Sequence, residues 1–241
     1  DFLVSPGATL DFAGNHTFNS GSDATGGGQV RYISGSTSLY NAGSTILAEP
    51  RFNGGDVTYA LGSAFGWTGN VTISSSTVNF STGSAKTLGG LTFQSGTITG
   101  ADNLAFTGSH TWTSGTISGT GTVQFNGPLS FGGSGSRTLS RTSTINGDVS
   151  MAGGSLFLHA ASVTNQSGRT WTMGGTSTTI YDGDFTNNGT FVFNGSGTGY
   201  LAYPSTTGTD VMRNNGQLNV TSGRLQIFGT GTHTGNFSVA A

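Results

Sequence analysis

One phrase returns along this chain at fixed spacing. Phe93-Gln94-Ser95-Gly96-Thr97-Ile98-Thr99-Gly100 comes back nineteen residues later as Trp112-Thr113-Ser114-Gly115-Thr116-Ile117-Ser118-Gly119. A unit of about 20 residues built from strand-length pieces cannot bury its apolar face alone, so it has to lean on copies of itself before and after it. Helical periodicity is missing: no long window sets apolar residues three and four apart, and 43 glycines interrupt any helix that begins. Strands are the regular element that remains.

Alternation of apolar and polar residues marks short strands at Thr9-Leu10-Asp11-Phe12, Gln29-Val30-Arg31-Tyr32-Ile33, Asn70-Val71-Thr72-Ile73, Thr122-Val123-Gln124-Phe125 and Gln217-Leu218-Asn219-Val220. Gly-Gly, Asn-Gly and Ser-Gly pairs between them supply the positive φ that tight corners need. One corner recurs: Asn187-Asn188-Gly189 and Asn214-Asn215-Gly216 each lead into an alternating strand, 27 residues apart. Two all-β architectures compete for this pattern. An antiparallel sandwich would use the Asn-Gly corners as hairpins. A parallel, right-handed β-helix with coils of roughly 20 residues would stack like residues in ladders, Ile98 over Ile117 among them, and it is the favoured reading.

On that reading residues 1–241 form a single β-solenoid rod of about 11 coils. The open first and last coils of such a rod expose unpaired backbone, which is either capped or used for joining. The segment around Phe237 and Val239 resembles the one around Phe2 and Val4, so these four residues are the candidates for end-to-end assembly, with the chain as one unit of a longer array or filament.

Composition narrows the function. Charged residues make up 7% of the chain, against roughly 25% in an average soluble domain, so rods of this kind can also lie side by side with little repulsion. A net charge of -2, with lysine only at Lys86, gives no basic surface for nucleic acid. No run of about 18 apolar residues is present to form a transmembrane helix. The absence of cysteine removes disulfides and thiolate metal sites and fits long extracellular bacterial chains.

Phrases such as Trp112-Thr113-Ser114-Gly115-Thr116-Ile117-Ser118-Gly119, Phe185-Thr186-Asn187-Asn188-Gly189-Thr190-Phe191 and Leu218-Asn219-Val220-Thr221-Ser222-Gly223 resemble the β-solenoid regions of large bacterial surface proteins. Those regions include filamentous haemagglutinin-type adhesins and autotransporter passenger domains. The resemblance covers most of the chain and rests on composition and loose repeats. It implies a secreted, cell-surface protein that builds stiff stalks, fibres or biofilm filaments.

An enzymatic reading, a polysaccharide lyase or hydrolase on a β-helix, requires paired carboxylates over a groove. Only Asp182-Gly183-Asp184 brings two acids together. On a strand they would face one side and suit a shared proton or a calcium ion, with Asn187 or Asn188 adding oxygens. In a glycine turn they are solvated acids that open the corner, so no catalytic residue and no cofactor are assigned. His16 and His110 each precede Thr and an aromatic residue, which reads as an outward-facing strand position. Among the aromatic residues most are expected inside the bore. Trp67, Tyr200 and Tyr203 are the least core-like, and are the candidates for contact with surface glycans.

Overall fold

A computed structural model of the protein describes residues 1–159, 161–204 and 210–240. The described residues hold strands, turns and bends and no α-helix. The chain divides into two compact units, Asp1–Gly108 with Gly115–Thr122, and Ser109–Ser114 with Val123–Ala241. Each is a parallel β-solenoid. In the first unit one coil runs through Thr9–Phe12, His16–Phe18 and Asp23–Thr25. Gln29–Ile33 then starts the next coil hydrogen-bonded beside Thr9–Phe12, with Thr9 opposite Gln29 and Phe12 opposite Tyr32. A coil is thus three short strands and three corners in about 20 residues. Parallel ladders of this kind cannot be made by hairpins, which excludes the antiparallel sandwich.

The first sheet of the first unit stacks Thr9–Phe12, Gln29–Ile33, Glu49–Asn53, Val71–Ser74 and Leu91–Phe93. That of the second unit stacks His110–Trp112, Leu129–Phe131, Val149–Met151, Thr170–Met173, Thr190–Phe193, Gln217–Val220 and Asn236–Val239. These make five turns and seven.

The repeated phrase now has a physical reason. Thr97 pairs with Thr116 and Ile98 with Ile117, and Ile98 sits in turn beside Val78 and Val57 in one inward column. Gly96 holds φ at 102°, and a Cβ there would lie 2.2 Å from the carbonyl oxygen of Ser76. Gly119 repeats the arrangement, 2.1 Å from the oxygen of Gly100. Glycine is required because one coil's corner passes directly over the last, at a backbone angle that side chains avoid.

Large rings fill the bore of the first unit in stacked columns. Phe18, Tyr40, Tyr59 and Phe80 follow one another at centroid spacings of 4.2, 5.0 and 5.6 Å. Tyr32 stacks on Phe52 at 5.3 Å, and its hydroxyl lies 2.6 Å from that of Tyr40. Burial raises the pKa of Tyr32, Tyr40 and Tyr59, because an ionised phenol in the bore has no water to solvate it.

In the second unit an inward column of the third sheet changes chemistry along its length. Phe125 pairs with Ile145, and Ile145 with Asn165; Asn187 and Asn214 follow, all three asparagines fully buried. Their amides bond one another from coil to coil. Arg137 is also fully buried, opposite Leu156. Its guanidinium donates to the carbonyls of Trp112, Gly132, Gly133, Gly135 and Gly153, and desolvation pushes its pKa down to about 10.

One sequence expectation is overturned. His110 points inward: it is buried, with its ring 5.4 Å from that of Phe125. In His110-Thr111-Trp112 the first and third residues share a face, so the histidine follows the buried tryptophan and only Thr111 faces out. His16 is half-buried, its ring 4.8 Å from Phe12.

Candidate functional site

Regular strands bury every second residue, and the outward columns of both units are mostly Ser, Thr and Asn. The second sheet of the second unit departs from this over Gly154–Phe157, Ser177–Tyr181 and Thr198–Tyr203. Phe157 pairs with Tyr181, and Tyr181 with Tyr203, giving an outward column of aromatic rings. Phe157 and Tyr181 stack at 4.4 Å with planes 5° apart. Beside it runs a second outward column in which Ser155 pairs with Thr179, and Thr179 with Tyr200.

Tyr200 and Tyr203 are three residues apart, so strict alternation would send one of them into the bore. A β-bulge prevents this. The register shifts between Thr179 and Tyr181, so that Leu201 and Ala202 together oppose Ile180. Both are buried, and both tyrosines face outward, half-exposed. Ala202 reaches this geometry with φ at 50°, a left-handed conformation that costs a residue with a Cβ about 1 kcal/mol. The neighbouring coil holds the bulge in place by the Phe228 amide, which donates to the Leu201 carbonyl at 2.9 Å.

The result is a slot of about 180 Å³ lined by Ser177, Thr179, Tyr181, Tyr200 and Tyr203. Its rings do not lie flat on one another. Tyr203 is 5.5 Å from Tyr181 with planes at 88°, 5.4 Å from Tyr200 at 69°, and 4.8 Å from Phe228 at 77°. The rings therefore line the slot at several orientations, together with the exposed Ser177 and the buried Thr179. Such a lining can pack on C–H groups and hydrogen-bond to hydroxyls at once.

Two of the three sequence candidates for glycan contact, Tyr200 and Tyr203, are thus brought together. Tyr181, Phe157 and Phe228 join them, a grouping that alternation alone did not disclose. Trp67 belongs to the first unit, where its indole N–H donates to the Asn70 carbonyl at 2.9 Å and its ring lies against Gly69.

The acidic pair follows directly after Tyr181. Asp182 turns a corner with φ at 48° and is buried, while Asp184 opens the next strand and forms an ion pair with Arg213 at 3.3 Å. The Gly183 amide between them donates to Asp210 at 2.8 Å. Burial raises the Asp210 pKa, the Gly183 hydrogen bond opposes that, and the charges of Asp182 and Asp184 add to the rise. Among the described residues no group of three or more His, Cys, Asp or Glu side chains is placed to share a metal ion.

Of the four residues considered for end-to-end contact, Phe237 and Val239 are 50% and 74% exposed on the last strand, where they continue the inward columns of Leu218 and Val220. Phe2 is 40% exposed, its ring against Phe12 and Phe18. Val4 lies inside, with its amide donating to the Thr25 carbonyl at 2.8 Å. No described helix is long and apolar enough to cross a membrane. No protein-family model, curated protein or solved structure matches the chain.

Proposed function

We propose that this chain is a non-enzymatic, extracellular structural segment of a bacterial surface adhesin or fibre, which contacts glycans through the tyrosine slot of its second unit. The observation that carries the reading is the bulge at Leu201-Ala202, which turns Tyr203 outward beside Tyr200 at the expense of a left-handed alanine. A regular strand would not need that left-handed residue, and bulges concentrate where a side chain must be aimed at a site. The rest of the chain supplies the support: parallel coils, interior ladders and a sparsely charged outer surface. Weak contacts repeated over many such segments on one cell would add by avidity.

Joining end to end is a further part of this reading, with Phe237 and Val239, which continue the inward columns of Leu218 and Val220, as its contact residues. A polysaccharide-cleaving enzyme is the rival reading, with Asp182 and Asp184, beside Asp210, as its candidate acids. Glycan-array binding by the purified protein separates the two. Retention that disappears in Tyr203→Ala, with no new reducing ends or unsaturated products released, supports the adhesin reading. Turnover lost in Asp184→Ala would replace it with the enzyme.

A further inference from the structure

We infer that the tyrosine slot selects a neutral pyranose and discriminates against both uronic acids and amino sugars; this rests on the glycan reading of the same site. The slot's described lining holds no charged side chain: three tyrosines, one serine and one threonine. A sugar carboxylate or ammonium entering it would give up water and find no counter-ion, and an unpaired desolvated charge is far more costly than an unpaired hydroxyl.

Charges just outside the slot do not rescue either kind of ligand. Asp182 follows Tyr181 directly, and its amide donates to the Tyr203 carbonyl at 3.2 Å, so the charged residue next to the slot on that side is an acid and supplies a carboxylate with no counter-ion. Three tyrosine faces could in principle hold a cation, but the acids are poorly placed to reinforce one. Asp182 is buried and Asp184 is already paired with Arg213. Arg224, opposite Thr198 on the neighbouring strand, is not among the residues that line the slot. A volume of about 180 Å³ suits one ring and its substituents.

The uncharged ring offers what the lining can use. Its axial C–H groups pack on tyrosine rings, and its equatorial hydroxyls meet Ser177 and the phenol oxygens, each of which both donates and accepts. Selectivity also depends on the bulge, since only the extra residue keeps Tyr203 in the wall.

The experiment is isothermal titration calorimetry of the full chain with matched tetrasaccharides: glucose-, galactose- and mannose-based neutral oligomers, the corresponding uronic acid oligomers, and deacetylated amino-sugar oligomers. The expected result is binding of at least one neutral series at least tenfold tighter than its charged counterparts, lost both in Tyr203→Ala and on deletion of Ala202. Tyr203→Ala removes a half-buried, outward-facing ring and keeps the protein folded if the deletion does not. A charged series that binds as tightly as the neutral one, and is lost in Tyr203→Ala, overturns the selectivity and leaves the glycan site standing. No binding by any series, or binding that survives Tyr203→Ala, overturns the site itself.

Discussion

Asn165 donates its side-chain N–H to the Oδ1 of Asn187 at 2.7 Å, with both side chains fully buried. Asn187 passes the bond on to Asn214 at 2.8 Å, and Asn214 ends the run on the Asn236 carbonyl at 3.0 Å. Each amide also reaches a backbone oxygen of the next strand, Thr190 from Asn165 and Gln217 from Asn187. The ladder therefore locks corner to strand as well as coil to coil. Removing its middle rung strands a donor on one side and an acceptor on the other. Asn187→Ala is expected to cost about 3 kcal/mol in urea unfolding. Asn188→Ala, which breaks the exposed bond from Asn215 at 3.0 Å, should cost under about 1 kcal/mol because water replaces it.

Arg137 acts as a solvent for a corner. Five carbonyls of the second unit converge on its guanidinium, which also sits 5.3 Å from the centroid of the Phe131 ring. Arg137→Met should lower stability by about 3 kcal/mol, since those oxygens become buried without donors. Arg137→Lys should recover less than half of the loss, because one ammonium cannot span the fork. Full recovery by lysine in chemical denaturation would contradict this role.

Alkaline pH should weaken the first unit. The folded-state pKa values of Tyr32, Tyr40 and Tyr59 are raised by burial, whereas the unfolded phenols ionise near 10. The native form holds protons that the unfolded chain gives up. Their contribution is complete below about pH 10 and falls above it, by up to about 1.4 kcal/mol per pH unit for each tyrosine. A triple Tyr32→Phe, Tyr40→Phe, Tyr59→Phe variant should show a flatter decline between pH 9 and 11 (about one unit either side of that reference value). Parallel stability curves for parent and variant would remove the titration argument.

The stacked corners predict a contrast between glycines. Gly96→Ala puts a methyl group 2.2 Å from a backbone oxygen at φ 102° and should cost more than about 2 kcal/mol. Gly7→Ala has a positive φ too, 79°, but nothing within 4 Å, so only the backbone penalty of about 1 kcal/mol applies. Thermal melting of the two variants checks the order.

The solenoid was legible in the sequence because its cause is local. Gly96 and Gly115 recur nineteen residues apart, since each coil repeats the same close approach, and alternation marks the strands between. What alternation did not disclose depends on register across coils of unequal length. Asn165 lies 22 residues from Asn187, and Asn187 lies 27 from Asn214. The matching Asn-Asn-Gly corners flagged only the last two, because Asn165 is followed by Gln166. The same limit applies to the slot. Tyr200 and Tyr203 stand out singly as least core-like, yet period-two reading puts them on opposite faces. Only the neighbouring strand, where Tyr181 pairs with Tyr203 across a shifted register, sets both outward. Calling His110 outward failed for the opposite reason, since the plain period held there.

Thiol labelling tests the bulge directly because the chain has no cysteine of its own. Single variants Tyr200→Cys, Leu201→Cys, Ala202→Cys and Tyr203→Cys would be reacted with a small thiol reagent under native conditions. Tyr200→Cys and Tyr203→Cys are expected to label rapidly, and Leu201→Cys and Ala202→Cys to be protected. Rapid labelling of Ala202→Cys with protection of Tyr203→Cys would mean a regular strand, and with it no tyrosine slot.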